Sequence, residues 1–512
     1  MGNVNNQNVG PTVAVLICGM FLAILNQTMV NVAIPHMMTD LNVSTTTIQW
    51  LSTGFMLANA IMIPVSTFLM ATVSTRLLFA FAMSMFTVGS LLCGIGPSFA
   101  VVLGGRIVQA IGAGIMMPLV TNIFLRLFPP HKIGKAMGTM GIAMVFAPAV
   151  GPTFAGYMVE HFSWRILFFI MVPLGAIEVG LTFKYLSNVL KLTYPKLDWA
   201  GAIFSTIGLG ALLYGLSEAG SRGWGDATVE TAIVVGIVFL IFFVYRQFTA
   251  RVPLLNLEVF GNFTFTMSTV VSVVVNMAMF GAMLLLPIYV QNIRGYTPVE
   301  SGLLLLPGAV LMGIMSPIAG ALFDKIGVRP LAIVGLAITA LTTYQFTKLT
   351  GQSTYAHLML LYALRSFGIS FIMMTIMTEG LNALPIALKS HGTAVSNTMR
   401  QVASSFGTAL LVTVMSTRTN EHLASYANNL TLNNAIAAEN VGQFSAVVTA
   451  AAGLPADAGT AYALSLLSGL AAQASTINGI NDAFLVATYI TIIGMVFSLF
   501  LNRPKKRPAS PR

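Results

Sequence analysis

Five charged side chains lie clearly inside long apolar runs, and any chemistry must begin with them: Arg106, Glu178, Arg365, Glu379 and Arg400. A charge in hydrocarbon is costly, so each must face protein or water and find a partner. A carboxyl kept from bulk water can exchange a proton as its surroundings change. Glu178, near the middle of its run, and Glu379, near the end of its own, are the two carboxylates so placed. The three arginines bring fixed charge and a planar fork of donors. Gln109, three residues after Arg106, shares its helical face. Arg365 lies nearer the middle of its run. Arg400 stands among small polar residues (SNTMRQVASSFGTA), which suits a helix facing water. For both, tethering of helix ends or hydrogen bonds to carbonyls is the competing reading. The first apolar run, residues 16–35, carries Asn26, Gln27, Thr28 and Asn31 in its middle. Three amides and a hydroxyl there require an inward-looking helix, able to hydrogen-bond a ligand but not to carry a charge.

The elements that must hold these residues follow from composition. The chain has 512 residues, 56% hydrophobic and 8% charged, against about 25% charged in soluble domains. This predicts an all-α integral membrane protein. Fourteen apolar runs, from 12–34 to 480–502, are each about as long as the ~20 residues a bilayer requires. An even number puts both termini on one side, and basic residues choose the side. Of the 25 Lys and Arg, 17 fall in one set of loops and termini, 5 in the other and 3 within runs. Both termini are therefore expected in the cytoplasm. The net charge of +10 is explained by those loops, so no nucleic-acid partner is expected, and the tail RPKKRP reads as a lipid-headgroup anchor. Residues 416–479 read as one long outer connection, with two weakly apolar stretches suited to short amphipathic helices on the membrane surface. A spacer is the plain reading and a substrate gate the sharper one. Cys18 and Cys93, both within apolar runs, read as buried thiols. The sequence has no P-loop and no histidine cluster, so neither ATP hydrolysis nor a metal or other cofactor is expected, and the chain is not expected to be an enzyme.

A repeat emerges at an offset of 253 residues. The stretch GALFDKIGVRP (Gly320, Asp324, Lys325, Gly327, Arg329) aligns with TFLMATVSTRL after the second run, where only Arg76 is kept and Ala71 stands for Asp324. Two homologous halves with a site at their interface are the common plan of secondary transporters. The pattern G-x-x-x-D-[RK]-x-G-x-[RK] resembles the cytoplasmic-loop signature of the major facilitator superfamily. VVLGGRIVQAIGAGIMMP around Arg106 resembles its fourth-helix motif. GIAMVFAPAVGPTFAGY, with Gly151, Pro152 and Gly156, resembles the fifth-helix motif of its antiporters. LNQTMVNVAIP resembles the first-helix signature L-D-x-T-x-x-N-V-A-L-P of fourteen-helix drug:proton antiporters, and within these the chain is most similar to the lincomycin-resistance exporters of Gram-positive bacteria.

The resemblance implies a major facilitator fold with 14 transmembrane helices. Residues 1–190 and 251–512 would form the two six-helix halves, with two extra central helices in 191–250. It implies proton-coupled efflux by alternating access of lipophilic compounds, often cationic or lincosamide-like, by a monomer in a bacterial plasma membrane. Its partners would be a lipophilic small-molecule substrate, protons and the lipid bilayer. Proton coupling would fall to Glu178, Arg106, Glu379 and Gln27. Substrate contacts would come from Asn26, Gln27, Asn31, Gln109, Arg365 and Arg400. The glycine- and proline-rich fifth run reads as a flexing seam, and Asp324 as half of a latch that pairs with basic groups or a helix N-terminus. One departure matters: antiporters of this group place a carboxylate where this chain has Asn26 and Gln27, so Gln27 resembles an uncharged mimic of a protonated acid. That departure keeps two other readings open, an exporter or flippase of a lipid-like amphiphile and a non-pumping membrane receptor on the same fold.

Overall fold

The computed structural model describes residues 9–501, apart from 44, 130–131, 191, 430–434 and 454. Sixteen α-helices run through the described residues: α1 (Val9–Asp40), α2 (Thr45–Thr72), α3 (Thr75–Ile95), α4 (Phe99–Leu127), α5 (Ile133–His161), α6 (Ile166–Tyr185), α7 (Trp199–Arg222), α8 (Ala227–Thr249), α9 (Phe263–Ile288), α10 (Pro298–Ile326), α11 (Val328–Gln345), α12 (Tyr355–Ser370), α13 (Met373–Asn382), α14 (Lys389–Asn429), α15 (Ala435–Ala452) and α16 (Ala456–Ser498). Local chemistry sets many of the ends. Asp226 caps α8 by accepting from the Thr228 and Val229 amides at 2.8 and 3.4 Å. Thr297 and Glu300 form a capping box on α10. Gly327 turns the chain from α10 into α11 with φ 79°, a backbone state that costs a residue bearing a Cβ.

Among the described residues thirteen stretches are long and apolar enough to cross a membrane, α12 and α13 together making one of them. The fourteenth run expected from the sequence is α14. Its membrane-length part carries Thr393, Ser396, Asn397, Thr398 and Arg400, all buried, and protein contacts rather than hydropathy keep it inside. Cys93 is buried as expected, but Cys18 is exposed, on the outer surface of α1.

The long connection expected over 416–479 is not one. Its first residues continue α14, its middle forms α15 and its last residues begin α16. At about 1.5 Å per residue, the 41 residues of α14 and 43 of α16 run about 62 and 65 Å, well past a hydrocarbon core of ~30 Å. The overhanging parts pack on each other. Arg418 reaches Asp482 at 2.9 Å and Glu421 at 2.5 Å, His422 lies 3.0 Å from Asp482, and the Asn478 amide donates to the Tyr426 hydroxyl at 3.2 Å. Ser445 of α15 bonds Thr460 of α16 at 3.1 Å.

The repeat seen in the sequence is carried by the packing. In the first half, a methyl group at Gly112 of α4 would strike the Ala82 carbonyl and lie 3.0 Å from the Phe86 nitrogen of α3. In the second, a methyl at Gly368 of α12 would lie 2.8 Å from the Gly335 carbonyl and 3.0 Å from the Thr339 nitrogen of α11. Residues 82 and 86 map onto 335 and 339 by the same offset of 253. The halves meet along two seams. α5 lies against α10 through most of its length, and α2 approaches α14. The extra pair α7 and α8 packs beside the second seam: Trp50 stacks on Tyr214 at 5.5 Å, and Trp224 donates to Thr413 at 2.7 Å.

Candidate functional site

Arg106 is fully buried in α4, and four helices supply its surroundings. Its Nη1 donates to Asn26 Oδ1 of α1 at 2.8 Å and to Gln109 Oε1 at 2.9 Å, and its Nε donates to the Leu51 carbonyl of α2 at 3.2 Å. The guanidinium lies over the Phe55 ring, 4.2 Å from its centroid. Gln109 Nε2 in turn donates to Ser90 of α3 at 2.7 Å. The network holds α1, α2, α3 and α4 around one cation, and no carboxylate among the described residues pairs with it. An amide, Asn26, stands where an acid would neutralise it, and Asn26 Nδ2 has no partner among the described residues. The network is thus satisfied on its oxygen side and leaves one amide donor over. Three residues expected at the site from sequence, Asn26, Arg106 and Gln109, are thus brought together. Gln27, the next residue on α1, is half-buried. The Asn31 side chain lies outside the described residues.

Glu178 lies on the buried face of α6, away from the arginine network. It packs over Gly19 of α1, where a Cβ would come 3.5 Å from Glu178 Oε1 and would crowd Phe79 and Met83 of α3. Oε1 is buried and has no hydrogen-bond partner among the described residues. The glycine makes room for the carboxyl, which packs from α6 against α1, the helix that carries Asn26.

Arg365 is buried inside the second half. Its Nε donates to Thr343 of α11 at 3.3 Å, and it faces a small cavity whose lining comes from α9, α11, α12 and α16, Thr339 and Thr491 among them. Gln109 with Ser90 and Arg365 with Thr343 are corresponding ties between the third and fourth helices of each half: Ser90 and Thr343 are also 253 residues apart, and Gln109 and Arg365 are 256 apart, the same spacing as Gly112 and Gly368. Ser90 and Thr343 escaped the sequence reading, although extending the repeat along α3 and α11 pairs them. Glu379 is half-buried on α13. Arg400 of α14 is buried, and its hydrogen-bond partner is the thioether of Met377 on α13, at 3.5 Å.

The seam residues fall into two groups. On α5, Gly134, Gly138, Gly141 and Gly156 all face α10: a methyl at Gly138 would lie 2.8 Å from Pro317 Cα and one at Gly156 would lie 3.0 Å from Val299 Cγ2. Gly320 of α10 returns the contact against the Gly134 carbonyl. Gly151 instead faces α1, where a methyl would lie 3.1 Å from Thr28 Cβ, and Pro152 beside it is half-buried. At one end of the seam α5 has no cap of its own, for Lys132 makes no side-chain bond at the N-cap. Asp324 of the other half supplies it: its two carboxylate oxygens accept from the Gly134 and Lys135 amides, each at 3.2 Å. Lys325 is exposed and Arg329 half-buried beside it. In the first half, where Ala71 replaces the acid, the equivalent turn is bound to the α6–α7 connection. The Ala71 carbonyl accepts from Thr193 at 2.9 Å, and Arg76 Nε donates to the Leu186 carbonyl at 2.6 Å.

A bundle of two repeated halves, a buried cation network in the first and a capped glycine seam between them define a secondary transporter. The chain belongs to the major facilitator superfamily, whose family model matches residues 16–408. It is 46% identical to the uncharacterized MFS-type transporter YhcA of Bacillus subtilis, over 98% of this chain and 94% of that one. It is 36% identical to the lincomycin resistance protein LmrB of the same organism, over 97% and 96%. The fold is also similar to that of the proton:xylose symporter XylE, with a TM-score of 0.61 at 13% identity over 98% of this chain and 97% of that one. The chain is thus a multi-pass membrane transporter of the class that includes drug exporters, rather than an enzyme.

Proposed function

We propose that this transporter exports lipophilic small molecules across a bacterial plasma membrane, as a monomer with both termini in the cytoplasm, and that proton uptake drives it. The observation that carries the proton part is Glu178. It is a buried carboxyl with no basic partner among the described residues, packed over Gly19 of the helix that carries Asn26 and Gln27. A carboxylate in that position is tolerated when it is protonated and must be compensated when it is not, so its protonation state biases how α6 packs on α1. Export of drug-like solutes is supported by the 36% identity to a lincomycin resistance protein. Alternating access is supported by a smooth glycine seam between α5 and α10, closed at one end by the Asp324 cap, whose two hydrogen bonds would have to break for that end to open.

Residues 1–190 and 251–512 act as the two halves and 191–250 as the brace over the α2–α14 seam. Asn26, Gln27, Asn31, Gln109, Arg365 and Arg400 provide polar contacts, and Arg106, Glu178 and Glu379 the coupling. The test is counterflow and pH-gradient uptake in proteoliposomes. A pH gradient should drive a lipophilic solute, and Glu178→Gln should abolish that drive while leaving solute binding within a few-fold. Gradient-driven movement that survives Glu178→Gln would remove it as the carrier.

A further inference from the structure

Arg400 and Asn397 are a buried polar pair in the second half to which the described fold supplies no oxygen or nitrogen partner, and the Thr398 hydroxyl between them is also unpartnered. They stand three residues apart on α14 and so share a face. Met399, between them, points outward and is 37% exposed, whereas Asn397 is 3% and Arg400 7% exposed. Neither the oxygen nor the nitrogen of the Asn397 amide bonds any described group. The Arg400 guanidinium meets a thioether, a weak acceptor, and no carboxylate among the described residues lies in ion-pair reach of it. The contrast with Arg106 is direct, for that cation has three oxygen acceptors. The location is also informative. Met377, against Arg400, belongs to the core that runs through α1 to α6, and one turn away Met374 comes within 3.1 Å of a methyl built on Gly141 of α5. The unpaired cation therefore sits where the two halves join.

A buried guanidinium and a buried amide left without acceptors are expensive, and a fold retains such a pair when something else satisfies it. The planar fork of arginine matches an oxyanion bidentately, and an adjacent amide adds a donor. A cationic solute would be repelled there. We propose that Asn397 and Arg400 form the recognition point for an anionic group, a carboxylate, sulfonate or phosphate, on the amphiphile this transporter handles, so that lipophilic anions are favoured over lipophilic cations. This rests on the export reading above for its physiological meaning, but the binding preference stands or falls by itself.

The experiment uses the purified full-length protein in phosphatidylcholine nanodiscs and two fluorescent probes of similar size and fixed charge, 1-pyrenesulfonate and a pyrenylmethyl-trimethylammonium. Wild type should bind the sulfonate at least about tenfold more tightly than the ammonium. Arg400→Gln should weaken sulfonate binding by about ten- to a hundredfold and change ammonium binding little. Arg400→Lys, which keeps the charge, should retain part of the preference, and Asn397→Leu should weaken the sulfonate alone. Adding phosphatidylglycerol identifies the source of the anion: competition with the sulfonate means that a lipid headgroup occupies the point, and its absence means that a solute does. Equal affinity for both probes, tighter binding of the ammonium, or sulfonate binding indifferent to Arg400→Gln in a protein with an unchanged melting profile would overturn the proposal. Should Arg400→Gln fail to fold, the wild-type preference decides. Gradient-driven uptake of both probes, measured in parallel, separates the two readings. Export of the ammonium unaffected at Arg400 leaves the exporter standing without this site, whereas sulfonate preference without gradient-driven movement leaves the site standing without the exporter.

Discussion

At Arg106 a single side chain satisfies an amide, a second amide and a backbone carbonyl from three helices, so its replacement has a cost that can be forecast. Arg106→Lys keeps the charge but not the fork, and leaves at least one of Asn26 Oδ1, Gln109 Oε1 and Leu51 O unbonded. Each buried group so stranded costs about 1–3 kcal/mol. The variant is therefore expected to unfold at a lower temperature in detergent, and an unchanged melting temperature would show that the network is not tight. The sequence announced this cation, Gln109 and Asn26 by polarity within apolar runs. It did not announce Ser90, because a serine in a membrane helix commonly bonds its own backbone, as Ser90 also does with the Phe86 carbonyl at 2.8 Å. Nor did it distinguish Arg400 from Arg365, since whether a buried arginine has an acceptor depends on neighbouring helices and not on its own. Outside the spans, Asp40 illustrates a titrating tie. Arg165 donates to its carboxylate, as does Trp164 at 3.0 Å, and these bonds, the arginine's first, hold the carboxyl below the usual carboxylate range. A depressed value means the tie stabilises the fold above about pH 4 and fades as pH falls through the lowered value. Because Asp40 is exposed and Arg165 part-exposed to solvent, Asp40→Asn should cost little at pH 7, as solvent-screened pairs generally do. The difference from wild type should shrink toward pH 3, as thermal melts at the two pH values would read.

Helices in this protein are completed by other helices, and α5 is the clearest case. Its N-terminus is capped from across the seam by Asp324, and the general value of such a cap with its helix-dipole contribution is about 1 kcal/mol. That is small against a whole fold but large against a conformational balance of a few kcal/mol. Asp324→Asn keeps the size and part of the hydrogen bonding and loses the charge. It should shift the population toward states open at that end of the seam, seen as a broadened or lengthened spin-label distance between the α4–α5 and α10–α11 turns. An unaltered distance distribution would mean that the cap merely decorates a seam closed by packing. The packing itself is tested at Gly138, where any Cβ meets the Ser316 carbonyl and Pro317 backbone. Gly138→Val should cost about 1–3 kcal/mol by overpacking and slow transport more than substrate binding, because the obstruction lies on the sliding surface. Gly151, Pro152 and Gly156 were legible as a smooth helical face. That Gly151 serves α1 whereas Gly156 serves α10 was not, because one face of a helix can lie between two neighbours.

For the whole molecule, the fourteen runs and the repeat offset were present in the order of polar and apolar residues, because crossing a bilayer imposes its length on the sequence. What the order concealed was the reach of α14 and the structure of the 416–479 stretch. The run at 392–415 shows only the membrane-length part of α14, and the continuation is apolar enough to look like surface helices, whereas the fold runs α14 and α16 on as two very long helices with α15 against them. The cores carry a further asymmetry. The apolar cluster of the first half takes in Phe265, Met374, Met377, Leu381 and Leu384 from the α9 and α13 side, while the cluster around Leu285, Tyr289, Phe346, Leu411 and Phe484 draws on the second half alone. The halves are thus fused at the end bearing the Asp324 cap and separately cored at the end from which α14 and α16 project. If basic loops mark the cytoplasm, the fused end is the inner one and the projecting helices stand outside the cell. That assignment is open to direct measurement in a background with Cys18 and Cys93 replaced. A cysteine at Tyr462, 48% exposed on the overhanging part of α16, should react in intact cells with a membrane-impermeant maleimide. One at the exposed Lys325 beside the cap should react only after the membrane is opened. The opposite pattern would invert the protein in the membrane, and with it the direction in which a proton gradient drives its cargo.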